Sequence, residues 1–153
     1  MIDVDNELIE HMSSPNNYGR IDNPDSIGIG QNPQNNEKVL IYINIDKKDK
    51  DFYIKEIKFE AIACMTTVVA GSIITKEALG LSFDKVEELI AVTLGMLDSV
   101  PPEQAACSEI VALALKAAVD GYLRYLENGN KDTLIYNIQQ SCSPQFENSN
   151  QGE

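Results

Sequence analysis

The chain has 153 residues, with 12 basic and 24 acidic side chains and a net charge of −12. That length suits one domain able to bury its own core, and 43% hydrophobic with 24% charged residues is a globular composition. So acidic a chain excludes a phosphate polyanion as partner, and no apolar run approaches the ~20 residues of a membrane span, so neither nucleic acid nor membrane is expected.

The opening, MIDVDNELIEHM, places Ile2, Leu8, Ile9 and Met12 at helical spacing. It is acidic and lacks the basic-then-apolar order of a secretion signal, so a cytoplasmic location is expected. Ile27-Gly28-Ile29, set between Pro/Asp and Asn/Pro turn material, predicts a short strand at Ser26–Ile29. Val39, Ile41, Ile43 and Ile45 alternate with Leu40, Tyr42 and Asn44, the period of a strand. A second strand follows, with Tyr53, Lys55, Ile57, Phe59 and Ala61 on one face and Phe52, Ile54, Glu56, Lys58 and Glu60 on the other. Lys47 to Asp51 between them reads as a solvated hairpin tip.

After Cys64 the period changes to 3.6. Val68, Val69, Ile73 and Ile74 predict a helical face that runs to Leu79 and stops at Gly80. Ser82 is placed to cap a second helix carrying Val86, Leu89, Ile90 and Leu97. Beyond Pro101-Pro102, Ile110, Val111, Ala114, Leu115, Ala118, Val119, Tyr122 and Leu126 define a long third helix, with Ser108 as its expected cap. Strands followed by helices predict an α+β domain: a small antiparallel sheet of about three strands with helices packed on one face. The expected division is a domain over residues 1–130 and a polar tail over 131–153.

Three cysteines, one histidine and no tryptophan leave few soft ligands. Cys64 falls at a strand-to-helix boundary and Cys107 near the expected start of the long helix. A thiol at a helix N-terminus feels the positive end of the dipole, which favours the thiolate that binds metal or attacks sulfur. His11 is expected to pack or cap, and Cys142 to be an exposed thiol of the tail. One histidine does not make a hydrolytic triad, and no phosphate-cradling glycine loop is present.

The order of several segments resembles one family. His11, Pro15, Asn17 and Gly19 resemble the H-F/Y-x-x-P-x-N-x-G opening of the IscU/NifU-type iron–sulfur cluster assembly scaffolds. Pro33 to Glu37 falls on their P-x-C-G-D turn, Ala63-Cys64 on their G-C, and Val100 to Ser108 on their L-P-P-V-K-x-H-C-S segment. The resemblance covers about residues 5–126. It implies the IscU/NifU-like (SufE-like) fold and a non-enzymatic role in holding iron or a 2Fe–2S cluster. It also implies a cysteine desulfurase or other cluster-assembly proteins as partners.

The departures reduce the ligand set that the resemblance implies. Position by position, its first cysteine is Asn35, its aspartate Glu37 and its histidine Ala106, while Cys64 and Cys107 keep their thiols. The lysine and valine of the proline-rich segment are Gln104 and Glu103, and the glycines of the turn and of G-C are Asn36 and Ala63. A cluster is held mostly by thiolates, and a neutral amide replaces one poorly. Three readings follow: a homodimer pooling Cys64 and Cys107 from both protomers, with Glu37 as an added metal ligand; a dithiol that accepts sulfur or forms a reversible disulfide; and a metal-free scaffold-like protein.

Overall fold

The computed structural model describes residues 15–99 and 101–138. Four strands form one sheet: β1 (Ser26–Asn32), β2 (Glu37–Lys48), β3 (Asp51–Ile62) and β4 (Leu134–Asn137), in the spatial order β3-β2-β1-β4. Helices α1 (Met65–Ala78), α2 (Phe83–Gly95) and α3 (Pro102–Asn128) follow the first three strands. Val39, Ile41 and Ile43 of β2 share one buried cluster with Ile74 of α1, Val86 of α2 and Val111 of α3. The helices therefore cover one face of the sheet, as the α+β pattern predicts.

The expected sheet gains a strand. β4 pairs parallel to β1, so the sheet is mixed, and Leu134 to Tyr136 belong to it although they were expected in the polar tail. Without β4, β1 would expose a row of unpaired backbone groups. Tyr136 donates its hydroxyl to Asp120 of α3 at 2.6 Å, and burial together with that bond pushes the phenol up to about 12. Ile138 then enters the core. The expected N-terminal helix with His11, and Cys142 of the tail, lie outside the described residues.

The simple alternation expected for β3 is broken by a bulge. Asn44 pairs with Glu56 and Ile45 with Ile54, which leaves Lys55 as the extra residue. One extra residue exchanges the faces of everything beyond it. Ile57 and Phe59 face the core on one side of the bulge, and Ile54 and Phe52 do so on the other. Phe52 thereby reaches the rings of Phe83 and Tyr122, at 5.7 and 5.6 Å.

α1 is also rotated from its expected apolar face. Its buried residues are Thr67, Gly71, Ser72, Ile74, Thr75 and Ala78, while Ile73 and Leu79 are exposed. Buried hydroxyls need partners, and the segment that opens the resemblance supplies them. The Asn16 backbone N–H donates to Ser72 at 2.7 Å, and the Asn17 amide donates to Thr75 at 3.2 Å. The same segment bonds the edge of β3, with Gly19 N–H to Phe59 C=O and Phe59 N–H to Asn17 C=O, both 2.8 Å. Residues 16–19 thus tie strand to helix on both sides of the corner that carries Cys64. Gly19 sits there at φ +137°, which an L side chain rarely adopts.

The closest contact in the fold joins β1 to α3. A Cβ at Gly28 would land on the backbone of Ala114 and Ala118, and one at Gly30 on the carbonyl of Ile110. Glycine on the strand and alanine on the helix let two backbones meet with almost nothing between them. Gly30→Ala is expected to lower the free energy of unfolding in urea by ~3 kcal/mol or more, since backbone must move. Gly95→Ala, where a methyl would meet nothing within 4 Å, should change it by less than ~1 kcal/mol. Equal, small effects would contradict this packing.

Candidate functional site

Three segments converge at one end of the sheet: the β1–β2 turn, the β3–α1 corner and the first turns of α3. The turn is held by its own side chains. Asn32 accepts from the Gln34 backbone N–H at 3.0 Å, and Asn35 accepts from that of Glu37 at 3.0 Å. Asn36 takes φ +63° at the position where the resembled turn has glycine. Asparagine tolerates that region better than other side chains, so the turn survives the loss of its glycine. The Asn35 amide is used to brace the turn, where the resembled family has a thiol.

Cys64 is the N-cap of α1. Its carbonyl accepts from the N–H groups of Thr67 and Val68 at 3.1 and 3.2 Å, and its sulfur lies 3.6 Å from the Thr67 hydroxyl. Burial pushes the Cys64 thiol up, while hydrogen bonds from the Thr67 hydroxyl and backbone N–H bring it down. The Glu37 carboxylate pushes it up again, and a hydrogen bond from Cys107 lowers it. The balance falls below the usual thiol value. These interactions also locate the neighbours: Glu37 and Cys107, 27 and 43 residues away in the chain, both act on the Cys64 sulfur.

Cys107 occupies a different setting from the one expected. α3 starts at Pro102, after extended Pro101, rather than at Ser108. Proline at the first helical position loses no hydrogen bond and has φ preset for the helix. Cys107 therefore lies in the second turn, and Ser108 caps nothing. The dipole is felt within the first turn, so it favours a thiolate at Cys64 and not at Cys107. Cys107 is 5% exposed, and both cysteines are free thiols. It lines a groove of about 630 Å³ between α1 and the start of α3, with Met65, Val69, Ile73, Met96 and Gln104.

The expected site residues Cys64, Cys107 and Glu37 thus come together, and Asn35 lies two residues before Glu37 on the same turn. Ala106, at the resembled histidine position, is buried in the core and offers no ligand. Among the described residues no group of three or more His, Cys, Asp or Glu side chains is arranged to hold a metal ion. Glu37 borders the thiol pair without completing a three-group cage with it. Two thiols and one bordering carboxylate fall short of the four mainly thiolate ligands of a cluster, so one protomer does not fit that cargo alone. Sequence reasoning missed Thr67. Its signal was present, because a residue three positions after an N-cap is placed to reach back to it.

The comparisons agree with this architecture. The model of the NifU-like N terminal domain matches residues 3–128, and the chain belongs to that family. It is 30% identical over 132 residues to the iron–sulfur cluster assembly scaffold protein IscU 1 of Archaeoglobus fulgidus, covering 84% of this chain and 80% of that one. It is 26% identical over 119 residues to the scaffold protein IscU of Haemophilus influenzae, covering 76% and 92%. A relative in Drosophila melanogaster, 27% identical over 118 residues and covering 75% of each chain, is named an iron–sulfur cluster assembly enzyme. The fold is similar to the N-terminal part of a NifU-like protein from Brucella abortus, with TM-score 0.56 and 16% identity over 81% of this chain and 94% of that one. No helix among the described residues is long and apolar enough to cross a membrane.

Thr67→Val keeps the shape of the side chain and removes its hydroxyl. The apparent pKa of Cys64 should rise, and its alkylation by iodoacetamide at pH 7.5 should slow several-fold, because the thiolate is the reacting form. An unchanged pH–rate profile would show that the hydroxyl does not act on the thiol.

Proposed function

We propose that this protein is an iron–sulfur cluster assembly scaffold in which Cys64 and Cys107 are the sulfur ligands to iron. Glu37 is assigned as an accessory oxygen ligand. The iron or 2Fe–2S cluster is cargo to be built and passed on, and the protein acts by holding it and not by catalysis. The observation that carries this reading is the meeting of two distant thiols beside a carboxylate-bearing turn. Family membership and the names of the relatives support the scaffold role. Two thiols per chain suit a cluster shared by two protomers, which together offer four thiolates. Acceptance of sulfur from a cysteine desulfurase, exchange with other assembly proteins and a cytoplasmic location complete the reading.

A metal-free, scaffold-like role is the second reading. The lack of a three-group metal cage among the described residues favours it. Anaerobic reconstitution with ferrous iron and sulfide separates the two. The shared-cluster reading predicts a coloured protein with two irons per dimer, lost in both Cys64→Ser and Cys107→Ser. Asn35→Cys should then retain the cluster longer against a chelator, since it supplies a third thiolate per chain. A colourless wild-type protein that remains iron-free supports the metal-free role.

A further inference from the structure

The two thiols differ in access but touch each other. Cys64 is exposed at the strand-to-helix corner, and Cys107 is nearly covered on α3. Both are free, and a hydrogen bond from Cys107 reaches the Cys64 sulfur. Cys107 also lines the groove beside Met65 and Thr66, the two residues that follow Cys64. Cys64 has extended backbone, with φ −74° and ψ 168°, and lies outside the helical hydrogen-bond ladder. Its side chain can therefore turn toward Cys107 without unwinding α1. Two neighbouring thiols, one open to solvent and one shielded, form the pairing of an attacked and a resolving cysteine.

We propose that a peroxide closes Cys64 and Cys107 into an intramolecular disulfide, and that this bond switches the metal site off. The second half rests on the scaffold reading above. In the first step the Cys64 thiol attacks one peroxide oxygen and the O–O bond breaks. With hydrogen peroxide, Cys64 becomes a sulfenic acid and one water leaves. In the second step the Cys107 sulfur attacks the sulfenic sulfur, the S–OH bond breaks, and a second water leaves. Two thiols are oxidised by two electrons and one peroxide is reduced by two. The disulfide removes both sulfur ligands at once and leaves Glu37 alone at the site. A dithiol reductant reverses it through thiol–disulfide exchange. The exposed thiol is thus protected from oxidation past the sulfenic stage, which is not reversible by thiols.

The test uses the full chain with Cys142→Ser, reduced and metal-free, treated with stoichiometric hydrogen peroxide. The expected result is loss of both titratable thiols, a monomer lighter by about 2 Da and a linked peptide pair containing Cys64 and Cys107, all reversed by dithiothreitol. Anaerobic ferrous iron should then bind the re-reduced chain and not the oxidised one. Two thiols that persist, a sulfinic acid at Cys64, or a Cys64–Cys64 bond between chains would overturn the disulfide. Equal iron uptake by oxidised and reduced protein would overturn the switch. A reversible disulfide in a protein whose reduced form takes up no iron would also overturn the switch, but through failure of the metal reading and with the thiol pair intact.

Discussion

The backbone-to-backbone contact of β1 with α3 is the constraint on which the remaining geometry depends. Gly28 and Gly30 give the strand a bare face, and Ile110, Ala114 and Ala118 present helix backbone to it. No side chain separates the two, so the height and register of α3 above the sheet are set by van der Waals contact of main-chain atoms. β1 continues through Asn32 into the turn that carries Asn35 and Glu37, while α3 carries Cys107 one turn before Ile110. Packing glycine against alanine therefore fixes how far the thiol stands from the carboxylate-bearing turn. Core packing of this kind does not relax continuously, which is why a single methyl at Gly30 has nowhere to go.

The third element of the site is fixed independently. The Asn16–Gly19 segment bonds the edge of β3 and the buried hydroxyls of α1, so the corner that holds Cys64 is gripped from both sides. Thr67 then holds the sulfur itself. Each contact is modest, since a hydrogen bond contributes only ~1 kcal/mol net. Their effect lies in position: a rigid second shell decides whether two sulfurs from separate elements meet. The site keeps this supporting structure although a thiol, a histidine and two glycines of the resembled pattern are replaced. Asn36 adopts the conformation of the lost glycine, and Ala106 fills the place of the lost histidine with core.

Much of this was legible in the sequence. The period-two runs at 39–45 and 53–61, the Ser82 cap and the alanine-rich helix led to the α+β layout, and the ordered motifs led to the family. What escaped has physical reasons. Nothing in Asn44 to Glu56 announces that Lys55 will be extruded, because a bulge is chosen by pairing with the neighbouring strand. β4 is four residues long and takes its meaning from β1, far away in sequence. α1 buries hydroxyls whose partners are near the other end of the chain, so apolar periodicity pointed to the wrong face. Ser108 looked like a cap, but Pro102 had already started the helix. At the site, Cys64, Cys107 and Glu37 were identified through the family pattern, while spacing alone did not join them. Thr67 was overlooked because a hydroxyl three residues past a cysteine is commonplace until the sulfur is seen beside it.

The central claim is that Cys64 and Cys107 act on the same iron. X-ray absorption at the iron edge of the anaerobically loaded protein tests it most directly. The account predicts sulfur neighbours to iron whose number falls when either cysteine is replaced by serine. An iron surrounded only by oxygen and nitrogen, or a sulfur shell indifferent to both substitutions, would contradict it.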